Sequence, residues 1–194
     1  MVSRSDQELV RLLAHGDHRA FEAIYDRCRI PLYRFALHMS GSREIADEIT
    51  QDAFLFLLRN PRSYAPERGS LLNFLLGVAR NLVRRSKRDA PDELPLEAED
   101  SETLVAIRDI SDSPLDAAIR RQSAAALQEA LLQVPESYRE VIVLCDLQEM
   151  SYAEAATALN VPLGTIRSRL HRGHIALLDV LSRRTLAEKS GAKL

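Results

Sequence analysis

A stretch of acids and prolines in the middle of the chain most constrains how the chain can fold. Residues 90–102 read APDELPLEAEDSE, with six acids, two prolines and no aromatic residue. Such a segment cannot bury enough apolar surface to offset the entropy lost on ordering, so we predict a flexible linker. The prediction divides the 194 residues into a first module at 1–88, the linker at 89–118, a second module at 119–185 and a tail at 186–194.

Both modules have the sequence pattern of helices. The sequence shows no sustained alternation of β-branched residues and no Asn-Gly or Asp-Gly hairpin turn. Ser151 and Glu154 have the spacing of a capping box, and Pro31 is expected to kink or break a helix running from about His18 to Met39. Hydrophobic residues make up 46% of the chain, which is enough for true cores. We therefore predict an all-α fold of two small helical domains joined by a flexible acidic linker.

The composition excludes several classes of protein. Cys28 and Cys145 are the only cysteines, too few for a disulfide framework or a zinc finger. Both lie in apolar helical contexts that are typical of small core residues. The longest apolar runs are far shorter than the roughly 20 residues that cross a bilayer, and residues 1–6 lack the apolar stretch of a signal peptide. We expect a cytoplasmic protein.

The net charge of −2 conceals a strongly uneven distribution of charge. Residues 59–88 carry +7, residues 89–118 carry −9 and residues 163–184 carry +4. The near-neutral total argues against nucleic acid as a partner, but the two basic blocks are typical of proteins that bind a phosphate backbone. A solvated helix face is the alternative interpretation of either block.

A helix predicted from Arg43 to about Arg59 has two different faces. At about 100° per residue, its apolar positions gather on one face: Ile45, Ile49, Ala53 and Phe56. Its acidic and amide positions lie roughly opposite: Asp47, Glu48 and Gln51. Such a stripe either binds a partner or only keeps the surface soluble, and the pattern alone leaves both interpretations open.

The next helix, predicted from about Leu71 to Arg88, combines features suited to nucleic acid. A core stripe is predicted at Leu71, Leu75, Val78 and Leu82. A second, exposed face is predicted to present Phe74, Gly77, Asn81, Arg84, Arg85 and Arg88. Arginine neutralises phosphate, asparagine can read a base edge and an aromatic ring can stack on an unpaired base. The alternative is that Phe74 is simply another core residue.

The second module has the pattern of a helix-turn-helix. A short helix through Leu159 is followed by a turn and by a longer helix from about Leu163 to Leu181 or a little beyond. The packing stripe of the longer helix is predicted at Ile166, Leu170, Leu177 and Leu181. Its other side presents hydroxyl, imidazole and guanidinium groups, as a recognition helix does in the major groove: Thr165, Arg167, Ser168, Arg169, His171 and Arg172.

Two sets of motifs resemble the extracytoplasmic-function sigma factors of bacterial RNA polymerase. FEAIY at 21–25, ADEITQDAF at 46–54 and VARN at 78–81 are similar to conserved region 2. LLQVPESYREV at 131–141, SYAEAA at 151–156 and PLGTIRSRLHR at 162–172 are similar to region 4. The sequence departs from the family at Phe74, where relatives often carry Trp, and at Ala153, where an acid is frequent.

The resemblance implies a non-enzymatic factor that joins core RNA polymerase and directs it to a promoter. It implies docking on the polymerase by Asp47, Glu48, Gln51 and Asp52. Recognition and melting of the −10 element are predicted for Phe74, Asn81, Arg84, Arg85 and Arg88, with a flipped base held mainly by the loop at about 60–70. Recognition of the −35 element is predicted for Thr165, Arg167, Ser168, His171 and Arg172, of which the last four match family positions.

The resemblance also concerns partners. It implies an anti-sigma factor that holds the protein inactive, and a linker that threads toward the polymerase active centre. We expect no cofactor, no metal and no membrane span, and a monomer when the protein is free.

Two other classes of function are weighed against this one. A stand-alone helix-turn-helix regulator with a helical sensor domain would bind its operator tightly without polymerase. An enzyme or metal protein would need a site, and the histidine pairs His15 with His18 and His171 with His174 are the only candidates. No cysteine or carboxylate convincingly completes either pair.

Overall fold

The computed structural model describes residues 4–89 and 114–191, and every regular element in these two ranges is a helix. The first module contains α1 (Asp6–Ala14), α2 (His18–Ser40), α3 (Arg43–Arg59) and α4 (Leu71–Asp89). Of the predicted linker at 89–118, residues 90–113 lie outside the described residues, while Asp89 belongs to α4 and residues 114–118 belong to α5. The second module contains α5 (Pro114–Gln133), α6 (Glu136–Ile142), α7 (Tyr152–Leu159) and α8 (Leu163–Gly191).

Short polar residues begin the helices of the first module where the sequence changes from turn to apolar pattern. The Ser5 hydroxyl accepts a hydrogen bond from the Glu8 amide at 3.2 Å, and the Asp17 carboxylate accepts from the Arg19 amide at 2.9 Å. Gly41 ends α2 with a φ of 80°, a left-handed conformation that costs glycine little. These caps satisfy backbone groups that the helices leave unpaired.

A kink or a break was expected in α2 at Pro31, and the break does not occur. The helix is continuous from His18 to Ser40 with Pro31 inside it. Cys28 and Leu32 on either side of the proline are buried in the core. Tertiary packing of this face outweighs the local cost of a proline in a helix.

The core of the first module lies where α2, α3 and α4 pack together. It is formed by fully or almost fully buried side chains from all three helices, among them Ile24, Leu32, Phe35, Ile49, Leu57, Leu71 and Leu75. The chain between α3 and α4 makes two short 3₁₀ turns, Pro61–Ser63 and Pro66–Arg68. This loop brings the start of α4 against α1, since the Leu71 amide donates to the Asp6 carboxylate at 2.9 Å.

The second module packs α6, α7 and α8 around Leu144, Leu159 and Ile166. Helix α6 runs on into a π-helical turn, Val143–Leu147. The predicted capping box is confirmed: Ser151 and Glu154 bond each other's backbone amides at the start of α7. Helix α8 continues to Gly191, whereas its predicted end was at Leu181 or a little beyond.

Within the described ranges, no helix is both long and apolar enough to cross a membrane.

Candidate nucleic-acid interface

Helix α3 presents the predicted acidic stripe to solvent. Asp47, Glu48, Gln51 and Asp52 are all exposed, whereas Ala46, Ile49 and Ala53 on the opposite face are buried. Burial and the negative charge of Asp47 both raise the pKa of Tyr33 on the neighbouring helix α2. The stripe is therefore an accessible, negatively charged surface.

Phe56 was predicted to lie on the buried face of α3, and this is wrong. Its side chain is 40% exposed, and its ring centroid lies 6.3 Å from that of Phe74. Phe74 in turn contacts Tyr64 at 5.9 Å, and the Tyr64 hydroxyl donates to the Gly69 carbonyl at 3.1 Å. Phe74 thus belongs to a half-buried aromatic cluster between α3, the loop and α4, so it is neither an exposed ring nor a fully buried one.

The loop that precedes α4 borders an open cavity of about 730 Å³. The cavity lies between α1 and the first half of the loop. Its lining mixes apolar residues with basic and polar ones, among them Gln7, Arg11, His15, Arg59, Asn60 and Arg62. Both the loop and the basic start of the +7 block therefore face a space that is accessible from solvent.

The polar face of α4 is divided between solvent and the second module. Asn81, Arg85 and Arg88 are exposed, and the Arg88 guanidinium donates to the Arg84 carbonyl at 3.3 Å. Gly77 lies against α7, because a Cβ at this position would come within 3.3 Å of the Ala158 carbonyl oxygen. The prediction that this whole face is exposed is therefore wrong at Gly77. The Arg84 side chain remains 41% exposed, but it is paired with acids of the second module.

Arg84 is held by two carboxylates of α6. Its Nε donates to Glu136 Oε1 at 3.0 Å, and its Nη2 lies 3.2 Å from Glu140 Oε1. The neighbouring Arg80 donates from Nε to the same Glu140 oxygen at 2.6 Å, and the Lys87 ammonium donates to Glu136 Oε2 at 3.4 Å. Three cations of the basic block are thus matched to two acids of the other module.

The electrostatics of this cluster favour the charged form of Glu136. Burial raises the pKa of Glu136, but the Arg84 hydrogen bond and the Lys87 charge outweigh it, so the pKa lies below its usual value. Glu140 is completely buried, and its Oε2 atom has no hydrogen-bond partner in the structure.

Sequence reasoning missed Glu136 and Glu140 as partners of α4. Residues four apart on a helix share a face, and this pair forms an acidic spot opposite a strongly basic helix. This spacing predicts that the two acids share a face of α6, but it does not predict that the face packs against α4.

Further contacts join the modules around a buried arginine. Arg139 is 6% exposed, and its guanidinium donates to the Met39 carbonyl at the end of α2 and to the Val134 carbonyl, both at 3.0 Å. Gln148 donates to the Pro31 carbonyl at 3.0 Å. His38 of α2 and Gln128 of α5 are hydrogen-bonded at 2.6 Å. Hydrogen bonds therefore join the two modules at several places, beside apolar residues of both modules that form one buried cluster.

Helix α8 presents most of its predicted recognition residues to solvent. Arg167, Ser168, His171 and Arg172 are exposed and Thr165 is half-buried, while Ile166 and Leu170 pack into the core. Gly173 allows α8 to approach α6 closely, because a Cβ there would lie 3.0 Å from the Ile142 Cδ1 atom. The turn before α8 uses Asn160 in a left-handed conformation with φ of 51°. The first three turns of α8 thus present an exposed basic ridge, formed by Arg167, Ser168, His171 and Arg172.

The remaining candidates form no metal or thiol site in the described ranges. His174 is hydrogen-bonded to Asp146 at 2.6 Å, and no group of three potential metal-ligating side chains occurs among the described residues. Burial raises the pKa of the Cys28 thiol to about 12 and that of Cys145 to about 11. Both thiols are protonated near neutral pH and are poor nucleophiles.

Two family descriptions match the two modules. Sigma-70 region 2 matches residues 24–91, and Sigma-70 region 4 matches residues 124–177. These matches cover the helices that carry the acidic stripe, the basic face of α4 and the basic ridge of α8.

Curated relatives match over most of the chain. It is 32% identical to the ECF RNA polymerase sigma factor SigW of Bacillus subtilis, over 87% of this chain and 92% of that protein. It is 35% identical to the ECF RNA polymerase sigma factor SigE of Mycolicibacterium smegmatis over 78% of this chain, and it spans 58% of that protein's length.

Two solved structures share the fold. CnrH in complex with the cytosolic domain of CnrY has a TM-score of 0.68 at 22% identity, over 93% of this chain and 99% of that one. The sigma factor RpoE of Bartonella quintana, in complex with the anti-sigma factor NepR, has a TM-score of 0.64 at 22% identity, over 84% and 98%. With these relatives and both regional matches, the chain belongs to the ECF family of RNA polymerase sigma factors.

Proposed function

We propose that the protein binds core RNA polymerase and directs it to promoters that contain a −10 and a −35 element. The observation that carries this proposal is the presence of three separate charged surfaces on two helical modules. One is acidic, on α3, and two are basic, on α4 and α8. A protein that must contact both a polymerase and two separated DNA sites needs surfaces of this kind.

The acidic stripe of α3 is the proposed polymerase-docking surface. Asp47, Glu48, Gln51 and Asp52 project from one exposed side of a helix whose other side is anchored in the core. A rigid backbone with exposed charges supports specific docking, because little order is lost on binding.

The two basic surfaces are the proposed DNA contacts. On α4, Asn81, Arg85 and Arg88 are accessible, Phe74 lies in the aromatic cluster beside them, and Arg84 completes the set once it leaves its acidic partners. On α8, Thr165, Arg167, Ser168, His171 and Arg172 would enter the major groove at the −35 element. Each contact set is small, and docking on polymerase would let the two act together through effective concentration.

The role includes no reaction catalysed by the chain itself, and it places the protein in the cytoplasm with the polymerase. An anti-sigma factor is a further proposed partner. This proposal is supported by the two structural neighbours, one solved with a CnrY domain and one with an anti-sigma factor.

The test is run-off transcription over a promoter library with core polymerase, with and without the protein. We expect protein-dependent transcripts from a subset of promoters sharing −10 and −35 sequences. An Asp47→Asn, Glu48→Gln variant should lose most of this activity, while Asp26→Asn, an exposed acid on α2, should keep it. Transcription that does not depend on the protein would contradict the proposal.

A gel shift with the purified protein separates the proposal from a stand-alone regulator. The sigma-factor role predicts little binding to promoter duplex without polymerase. Tight, polymerase-independent binding to a palindrome would instead favour the regulator.

A further inference from the structure

We propose that the free chain is held in a closed, self-inhibited state, in which acids of α6 occupy the positions that DNA phosphates take on α4. The proposal rests on the function given above, because it assigns a regulatory state to the same −10 surface. In the closed state the second module covers part of α4 and leaves the ridge of α8 uncovered.

The first observation is the matching of charges at the contact. Arg80 and Arg84 share Glu140 Oε1 at 2.6 and 3.2 Å, and Arg84 and Lys87 share Glu136 at 3.0 and 3.4 Å. Carboxylates at such distances from guanidinium groups have the charge and hydrogen-bond geometry of phosphate oxygens. A DNA strand and helix α6 therefore compete for the same donors.

A second, independent observation is the steric contact made by α7. The Arg80 guanidinium donates to the Leu159 carbonyl at the end of α7 at 2.9 Å. The loop before α4 is also covered, because the Thr157 methyl lies 3.0 Å from where a Gly69 Cβ would be. Helix α7, which precedes α8, thus lies against both α4 and the loop before α4.

The ridge of α8 is left out of this contact. Arg167, Ser168, His171 and Arg172 remain exposed while Arg80 is only 14% exposed. Within the −10 set, closure therefore engages Arg84 and leaves Asn81, Arg85 and Arg88 exposed, and the docking stripe of α3 stays accessible as well. Polymerase can engage the closed chain first and separate the modules afterwards.

Carbodiimide cross-linking tests the closed state directly, since it joins an amine to a carboxylate only when the two are in contact. The chain has just three lysines, Lys87, Lys189 and Lys193, so the product at Lys87 is easily identified by mass spectrometry. We expect a Lys87–Glu136 amide in the full-length free protein. Absence of this amide would overturn the proposal.

The cross-linked protein then tests whether closure inhibits. We expect it to lose transcription with core polymerase and binding to a single-stranded non-template −10 oligonucleotide. Lys87→Arg is the matched control, because it keeps the charge but cannot form the amide, and after the same treatment it should remain active. A cross-linked protein as active as the treated control would overturn the proposal.

Charge-neutral variants test the opposite direction. Glu136→Gln with Glu140→Gln should bind the −10 oligonucleotide about tenfold more tightly than the unmodified chain, a typical size for coupling between two states. Glu136→Gln alone changes only a half-exposed side chain and should give a smaller gain with the fold intact. Glu149→Gln, an exposed acid of the same module, should give none. Equal affinities in all variants would overturn the proposal.

These results separate the two proposals. The untreated protein's transcription with core polymerase tests the sigma-factor role, whereas formation of the Lys87–Glu136 amide needs neither polymerase nor promoter. A protein that is active in transcription but forms no Lys87–Glu136 amide would contradict the closed state and leave the sigma-factor role intact.

Discussion

The two basic surfaces of the molecule contain similar residues but differ in what surrounds them. On α8, Arg167 and Arg172 project from a helix whose other side is packed into its own module. On α4, Arg84 is bound to Glu136 and Glu140 of the other module. The arginines of the first surface are exposed to solvent, whereas Arg84 on the second would have to leave its carboxylate partners before it could bind a phosphate. The comparison shows that a basic sequence block predicts the chemistry of a surface but not its accessibility.

The largest expected effect removes the surface that is already accessible. Arg167→Ala with Arg172→Ala should reduce transcription from promoters that need the −35 element by about 100-fold or more, since each lost arginine contact costs about 1–3 kcal/mol. Run-off transcription measures the loss. Arg183→Ala is the control, because Arg183 is an exposed arginine of the same helix that pairs with Asp179. A similar loss in the control would show that general charge, and not the ridge, is responsible.

An intermediate effect is expected from crowding the contact between α8 and α6, which holds the ridge in place. Gly173→Ala would place a Cβ 3.0 Å from Ile142 Cδ1 and 3.4 Å from Tyr138 Cβ. The crowding should lower the free energy of unfolding by about 1–2 kcal/mol, which urea denaturation would measure. Gly164→Ala on the same helix has open space around it and should be neutral or stabilising by up to about 1 kcal/mol. Equal behaviour of the two variants would contradict the close packing of α6 and α8.

The smallest expected effect concerns pH and the contact that covers α4. Burial lowers the pKa of His38, as does the charge of Arg34, while its hydrogen bond to Gln128 opposes both. In an open chain, His38 would take up a proton near the usual histidine pKa of 6.5, whereas in the closed chain it would do so only at a lower pH. Closure is therefore fully stable above that value and weakens as the pH falls through it.

Small-angle scattering between about pH 7.5 and about pH 5.5 would detect this as a modest increase in radius of gyration, in the range where histidine titrates. Glu136 stays charged across this range because its pKa is lowered. His38→Gln keeps an amide donor for Gln128 but does not titrate, so its radius should be independent of pH. An equal increase in this variant would place the pH dependence elsewhere.

The sequence predicts local structure well and contacts between modules poorly. Helix ends follow from short-range chemistry, and the Ser151–Glu154 capping box was visible as a four-residue pattern. The face of α3 that carries the acidic stripe was predicted correctly from periodicity. The continuity of α2 through Pro31 could not be predicted, because the burial of Cys28 and Leu32 is a tertiary effect that a local rule for proline cannot include.

The site was only partly predictable for the same reason. The exposed positions of α8 follow from its apolar stripe, since that stripe packs within one short segment of chain. The ion pairing of Arg84 depends on Glu136, which lies 52 positions away in the sequence and leaves no periodic signal on α4. Phe56 differed from prediction because aromatic neighbours from the loop and from α4 gather at the edge of the core.

The unpartnered Glu140 Oε2 atom makes the module contact locally frustrated. Arg139 Nε, one residue away, is likewise buried without a partner. If every buried polar atom of the interface had a hydrogen-bond partner, the closed form would be the single deep free-energy minimum. Because water would hydrate these two atoms when the modules separate, their burial without partners lowers the stability of the closed form. Replacing such buried ionic groups with well-packed apolar side chains often stabilises a fold. In this protein such a replacement would favour the closed conformation alone. The two buried atoms without partners therefore reduce the difference in free energy between the proposed closed and open conformations.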